Sequence, residues 1–149
     1  MVKTRVGDWM TRNPVIVLPT TRLTEAYALM TERRIRRLPV VEGGKLVGIV
    51  TLGDLRQAGA NIPGSEAEKS PVEAVMSQPV LTVTPETSLR EAARLMIKHK
   101  VSGLPVLQHG ELVGIITESD IFRAVMLSEE EETSAEPKPV QQLPPVAVV

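Results

Sequence analysis

Gly48-Ile49-Val50-Thr51-Leu52-Gly53-Asp54 recurs 66 residues later as Gly114-Ile115-Ile116-Thr117-Glu118-Ser119-Asp120. Working outward from these two stretches, Leu38-Pro39-Val40 pairs with Leu104-Pro105-Val106, Met30 with Met96, Glu25 with Glu91 and Met10 with Met76. Between residues 6–58 and 72–124, 21 of 53 paired positions are identical, well beyond coincidence. Two copies of a repeat longer than a solenoid unit predict a pseudo-symmetric pair sharing one core.

Both copies read in the same order. Leu23, Ala26, Tyr27 and Met30 in the first, and Leu89, Ala92, Ala93 and Met96 in the second, fall at i, i+3, i+4, i+7 and predict an amphipathic helix. Pro19 and Thr21 precede one helix; Pro85, Thr87 and a Ser88-x-x-Glu91 capping box precede the other. A strand over 38–41 or 104–107 follows, then a turn at Gly43-Gly44 or His109-Gly110, then a strand over 45–51 or 111–117. Each copy closes with a helix from about residue 52 or 118 that carries Leu55 or Ile121 inward, and a short strand at 15–18 or 81–83 comes before the first helix. The expected fold is α+β, drawn from α/β-like units of strand, helix, hairpin and helix. The expected boundaries are 1–58 for the first unit, 59–71 for a Gly-, Ser-, Pro- and Glu-rich linker and 72–127 for the second unit. Residues 128–149, acidic and then proline-rich, are expected to be a disordered tail.

Composition excludes whole classes of chemistry. The chain of 149 residues is 42% hydrophobic, enough for a core, yet its aromatics are only Trp9, Tyr27 and Phe122. That leaves no interleaved rings on which single-stranded nucleic acid or sugars would stack. The absence of cysteine excludes disulfides, thiolate metal sites and a thiol nucleophile, and it fits a reducing compartment. His99 and His109, both expected at the surface, are too few for a three-histidine metal site. Apolar runs are short and the first twenty residues mix Lys3, Arg5, Asp8 and Arg12, so a soluble cytoplasmic protein with no membrane association is expected. The formal net charge of −1 is uneven: five acids face one lysine in 128–149, leaving residues 1–127 with a surplus of three positive charges. So small a surplus is too little to argue for duplex nucleic acid on its own, and no nucleic-acid partner is expected. The copies differ as well, with ten basic and five acidic side chains in 1–58 against five and six in 72–127.

No nucleophile elbow, P-loop or dinucleotide fingerprint occurs, so the candidates are binding groups and no enzyme is expected. Each repeated motif places a threonine at a strand-to-helix junction, where free N–H groups favour a phosphate and the Thr51 or Thr117 hydroxyl can donate to it. One turn on, Asp54 or Asp120 can accept from a ribose diol. Gly48 and Gly114 would admit another backbone at close range. Thr-x-x-Asp is equally a helix capping box, so binding and capping both stay open. Arg33, Arg34, Arg36 and Arg37 crowd the turn where the second copy has Lys98, His99, Lys100 and Ser102. They read either as a solvated face or as phosphate contacts.

Asp8-Trp9-Met10-Thr11-x-Asn13-Pro14, Met76-Ser77-x-Pro79, the two Leu-Pro-Val triplets and the doubled Gly-Ile-[Val/Ile]-Thr-x-x-Asp together resemble a tandem pair of cystathionine-β-synthase (CBS) domains over residues 6–127. The resemblance implies two β-α-β-β-α units packed through their sheets, with two clefts at the pseudo-twofold interface. It implies an adenine nucleotide (AMP, ADP or ATP) as regulatory ligand, or sometimes S-adenosylmethionine or a dinucleotide, and no catalytic cofactor. Asp54 and Asp120 would hold ribose, and Thr51 and Thr117 phosphate. Val101, Ser102 and Gly103 would enclose the base near Asp54; Ile35, Arg36 and Arg37 would do so near Asp120. The surroundings of Val17 and Val83 would lend backbone groups to adenine. Arg36 and Arg37 depart from the family's small residues before Leu-Pro-Val, and would either clasp extra phosphates or fill the cleft. The resemblance also implies a disc-shaped homodimer and a regulated protein outside this chain. The function it predicts is an adenosine-ligand sensor; the alternative is a ligand-independent protein-interaction module whose Thr-x-x-Asp motifs only cap helices.

Overall fold

The computed structural model describes residues 3–132, the last four by backbone alone. In chain order the elements are α1 (Val6–Trp9), β1 (Thr11–Arg12), α2 (Leu23–Arg33), β2 (Arg37–Glu42), β3 (Lys45–Thr51) and α3 (Leu52–Gln57). Two 3-10 turns, Glu66–Glu68 and Val72–Ala74, lead to α4 (Leu89–His99), β4 (Gly103–Gln108), β5 (Glu111–Thr117) and α5 (Glu118–Glu132).

The helical periodicity is realised: α2 buries Leu23, Ala26 and Met30, and α4 buries Ala92 and Met96. Their starts differ from expectation. Ser88 Oγ accepts from the Glu91 N–H at 3.0 Å, but the Glu91 carboxylate turns to the Arg94 guanidinium at 2.7 and 2.8 Å, so only half of the capping box forms. Thr21 and Thr87 accept from the Leu18 and Thr84 N–H groups, each at 3.0 Å, and brace the turns before the helices instead. Both helices end on a left-handed residue, Arg34 and Lys100, each with φ 55°, where glycine is the usual occupant.

The hairpins close as predicted. Gly43-Gly44 (φ 59° and 80°) and His109-Gly110 (φ 52° and 79°) supply the two positive-φ positions of a two-residue turn. The strands expected at 15–18 and 81–83 shrink to one parallel bridge each. The Val17 N–H donates to Pro39 O at 3.0 Å and its carbonyl accepts from Val41 at 2.9 Å; Val83 does the same with Pro105 at 3.1 Å and Leu107 at 2.8 Å. Pro14 and Pro19, or Pro79 and Pro85, stand on either side and stop the pairing from spreading. The result is the β-α-β-β-α order twice over, with β3 and β5 in contact between the two sheets.

The copies exchange their leading segments across the two cores. Val6 and Met10 belong to the cluster of Val83, Ala92, Met96, Leu104, Val106 and Ile116, whereas Val72 joins the cluster of Leu23, Met30, Leu38, Val50 and Leu55. β1 pairs antiparallel with β5 (Thr11 opposite Ile115), and Ser77 bridges to Ile49 in the mirror arrangement. The Leu89 N–H donates to Thr4 O at 2.8 Å and the Leu23 N–H to Ser70 O at 3.0 Å.

Residues 59–71, read as a linker, pack on the first unit: Ala60 and Ala67 are buried in its cluster and Ser65 Oγ donates to Gly59 O at 2.7 Å. Alanines are small enough to bury in a stretch whose polar neighbours stay in water. α5 continues to Glu132, past the expected start of the tail at 128, since glutamate propagates a helix already formed. The rest of the expected tail, 133–149, lies outside the described residues.

Candidate functional site

The two Thr-x-x-Asp junctions are built alike. Asp54 Oδ2 accepts from the Thr51 N–H at 2.9 Å and Thr51 Oγ1 accepts from the Asp54 N–H at 3.1 Å, a complete capping box at the start of α3. At α5, Asp120 Oδ2 accepts from the Thr117 N–H at 2.9 Å and from its hydroxyl at 3.0 Å, while Arg123 donates to Oδ1. Asp120 is only 4% exposed, whereas Asp54 is half-buried. Within the caps Asp54 engages Oδ2 alone, whereas Asp120 engages both oxygens, Oδ2 with Thr117 and Oδ1 with Arg123.

A cleft opens in front of each threonine. The first, of about 760 Å³, brings Thr51, Leu52 and Gly53 of one unit against Val101, Ser102 and Gly103 of the other, with 79–81 alongside. The second, of about 560 Å³, brings Thr117, Glu118 and Ser119 against Ile35, Arg36 and Arg37, with 13–15 alongside. Both volumes suit a small organic ligand. The cross-unit groupings are those that the resemblance implied; every lining residue of the second cleft has its 66-residue counterpart in the first, which adds Arg37, Arg56, His99 and Leu104. Asp54 and Asp120 line neither cleft, and nor do Val17 and Val83. The backbone groups of Val17 and Val83 are spent on β2 and β4, and the chain two residues earlier, at Val15 and Leu81, faces the clefts instead.

Arg37 stands between the clefts. Its guanidinium donates to Ser102 Oγ, and its side chain passes over Gly103, where an added Cβ would lie 2.6 Å from Arg37 Cδ. Glycine at 103 is thus what admits arginine at the equivalent position 37. Arg36, Arg37 and Ser102 border both cavities. Burial pulls the Arg37 pKa below the ordinary arginine value; nearby Glu118 opposes that, Arg36 adds to it and Asp120 opposes it.

Sequence reasoning missed Arg56 and Lys100, and it placed His99 simply on the surface, although all three border the first cleft. For Lys100 a signal was present, because its repeat partner Arg34 borders the second cleft and is also cationic. Gly48 and Gly114 were expected to admit a backbone. They admit the exchanged methionines, Met76 over Gly48 and Met10 over Gly114, with the Thr11 carbonyl also near Gly114. Among the described residues no three His, Asp or Glu side chains converge to hold a metal ion, and no helix is long and apolar enough to cross a membrane.

The sequence matches the CBS domain description over residues 6–61 and 72–127. Among solved structures, CBSX2 of Arabidopsis thaliana in complex with AMP is 32% identical with a TM-score of 0.75, over 85% of this chain and 99% of that one. The CBS domain pair of protein MJ0100, in complex with 5'-methylthioadenosine and S-adenosyl-L-methionine, is 31% identical with a TM-score of 0.74, over 84% and 98%. Among curated relatives, the CBS domain-containing protein YhcV of Bacillus subtilis is 35% identical over 78% of this chain and 81% of its own length. The inosine-5'-monophosphate dehydrogenase of Korarchaeum cryptofilum is 37% identical over 79% of this chain, which spans only 24% of that enzyme. Doubled motifs, doubled fold and doubled family match agree: the chain belongs to the CBS-domain family, as a tandem pair of CBS units.

Proposed function

We propose that this chain is a regulatory module in which an adenosine-type ligand, AMP, ADP or ATP, binds between the CBS units and changes how the pair engages another protein. The observation that carries the reading is that each cleft is walled by residues of both units. A ligand there touches both halves, so its affinity depends on their arrangement, which is the condition for shifting an equilibrium between two packings. The complexes of CBSX2 with AMP and of MJ0100 with S-adenosyl-L-methionine support the ligand class. In this reading Thr51 and Thr117 meet phosphate, while Val101 with Leu81, and Ile35 with Val15, enclose the base. Asp54 can offer Oδ1 to ribose while Oδ2 keeps the cap, whereas Asp120 must first release Arg123 from Oδ1. The module is assigned no reaction of its own. The lack of cysteine supports a cytoplasmic setting.

The test is thermal unfolding with AMP, ADP, ATP and S-adenosylmethionine, on the wild type and on Thr51→Ala and Thr117→Ala. A ligand at 100 times its Kd stabilises by about 2.7 kcal/mol. Loss of either cap lowers baseline stability by about 1 kcal/mol whatever the function, so the readout is the ligand-induced increment, which is expected to shrink in both variants.

One observation favours a second reading, a ligand-independent interaction module: both Thr-x-x-Asp motifs form caps and both aspartates lie off the clefts. It prevails if none of the four ligands moves the unfolding midpoint.

The proposal includes a homodimer. Phe122, Val125 and Met126 share one face of α5 at i, i+3, i+4 and are 65%, 53% and 54% exposed, an apolar stripe that a second copy would cover. Phe122→Ser is expected to shift the mass measured by light scattering from dimer to monomer; a monomeric wild type would refute this part.

A further inference from the structure

The clefts share a plan and differ in charge. Arg36, Arg37, Arg56, His99 and Lys100 border the first, and no Asp or Glu among the described residues does. The second has Arg34, Arg36 and Arg37 but carries Glu118 where the first has Leu52. Arg56 has no opposite number, since its repeat partner Phe122 does not border the second cleft. Lys100 holds a left-handed conformation, φ 55°, that is costly for any residue but glycine. Its repeat partner Arg34 holds the same conformation at the rim of the second cleft, so the clefts differ in Arg56, His99 and Glu118 and not in this strain.

Four arginine and lysine side chains around one space repel each other until an anion neutralises them, and each added phosphate gains a charge-assisted hydrogen bond. In the second cleft the Glu118 carboxylate repels phosphate and competes for Arg37. We infer that the first cleft selects a nucleotide with two or more phosphates, whereas the second takes one with a single phosphate or none. The inference rests on the reading that the clefts hold adenosine ligands.

Titration calorimetry of the full chain in magnesium-free buffer, with AMP, ADP, ATP and inorganic tripolyphosphate, tests it on the wild type and on Arg56→Gln, Lys100→Gly and Glu118→Gln. At one site ADP is expected to bind at least about tenfold more tightly than AMP, the effect of one charge-assisted hydrogen bond. Arg56→Gln and Lys100→Gly should shrink that preference, lowering ADP affinity by a larger factor than AMP affinity. Lys100→Gly relieves the backbone strain, so its thermal midpoint should be no lower than the wild type's, which separates lost selectivity from lost fold. Glu118→Gln should raise ADP affinity at the other site, a gain that damage to the fold does not produce. If AMP and ADP bind equally at both sites, charge selection fails and the adenosine-ligand reading stands. If tripolyphosphate alone binds, and Arg56→Gln weakens it, the adenosine reading fails and the anion selection stands. If nothing binds, both fail.

Discussion

Gly48 and Gly114 hold the exchanged segments by having no side chain. A Cβ on Gly114 would lie 2.7 Å from Met10 Sδ and 2.8 Å from the Thr11 carbonyl oxygen, whereas the three atoms nearest to one on Gly48 all belong to the flexible side chain of Met76. A methionine can swing aside, but a carbonyl paired in a sheet cannot. Gly114→Ala is therefore expected to cost about 1–3 kcal/mol, the usual range for overpacking, and Gly48→Ala less. Urea denaturation of the two variants checks the order, and equal losses would contradict it. The capping aspartates rank in the same way. Asp120 is 4% exposed and accepts from both donors of Thr117 as well as from Arg123. Without ligand, Asp120→Ala should cost about 1–3 kcal/mol by stranding those donors. Asp54→Ala should cost less, because water reaches its half-buried partners. If the two variants unfold together in urea, burial does not set the difference.

Among the elements, α1 shows that position along the chain does not predict structural weight. Val6 lies near the start yet is 0% exposed in the core of the second unit, and Val72 is 0% exposed in the first. Val6→Ala should thus cost about 2 kcal/mol, as for a central core residue. It should weaken amide protection in β4 and β5 before that in β2 and β3, and Val72→Ala should do the reverse. Hydrogen exchange reads both, and a Val6→Ala variant as stable as wild type would show that α1 is dispensable. The exchange was not legible in the sequence, for a physical reason: Val6 and Val72, and Met10 and Met76, are identical pairs, so either copy's leading segment satisfies either core. What was legible came from patterns that local chemistry decides. The helical faces of α2 and α4, the positive-φ turns at Gly43-Gly44 and His109-Gly110, and the caps at Thr51 and Thr117 all follow from residues a few positions apart. The facing of Val101, Ser102 and Gly103 with Thr51 came from the family pattern. Arg56 reaches the border of a cleft only once the second unit has closed over it, and nothing local to Arg56 encodes that.

For the whole molecule the decisive feature is that the clefts are not separate: Arg36, Arg37 and Ser102 border both. A charge shared by two sites cannot serve two anions at full strength. Arg37 is held by Ser102 Oγ above Gly103. A phosphate in either cleft would draw its guanidinium to that side and remove positive potential from the other. Filling the first cleft is therefore expected to weaken binding of an anionic ligand in the second by about fivefold or more, the lower end of ordinary coupling energies. Linkage requires the same factor in the reverse order of addition. An uncharged ligand such as adenosine in the first cleft should leave the second unaffected, which separates competition for the arginines from a change of packing. Calorimetric titration of AMP into protein holding one equivalent of ADP, and into protein holding none, reads the factor. Equal AMP affinity in both cases would mean that the shared arginines do not couple the clefts, and the pair would then act as two independent sites on one scaffold.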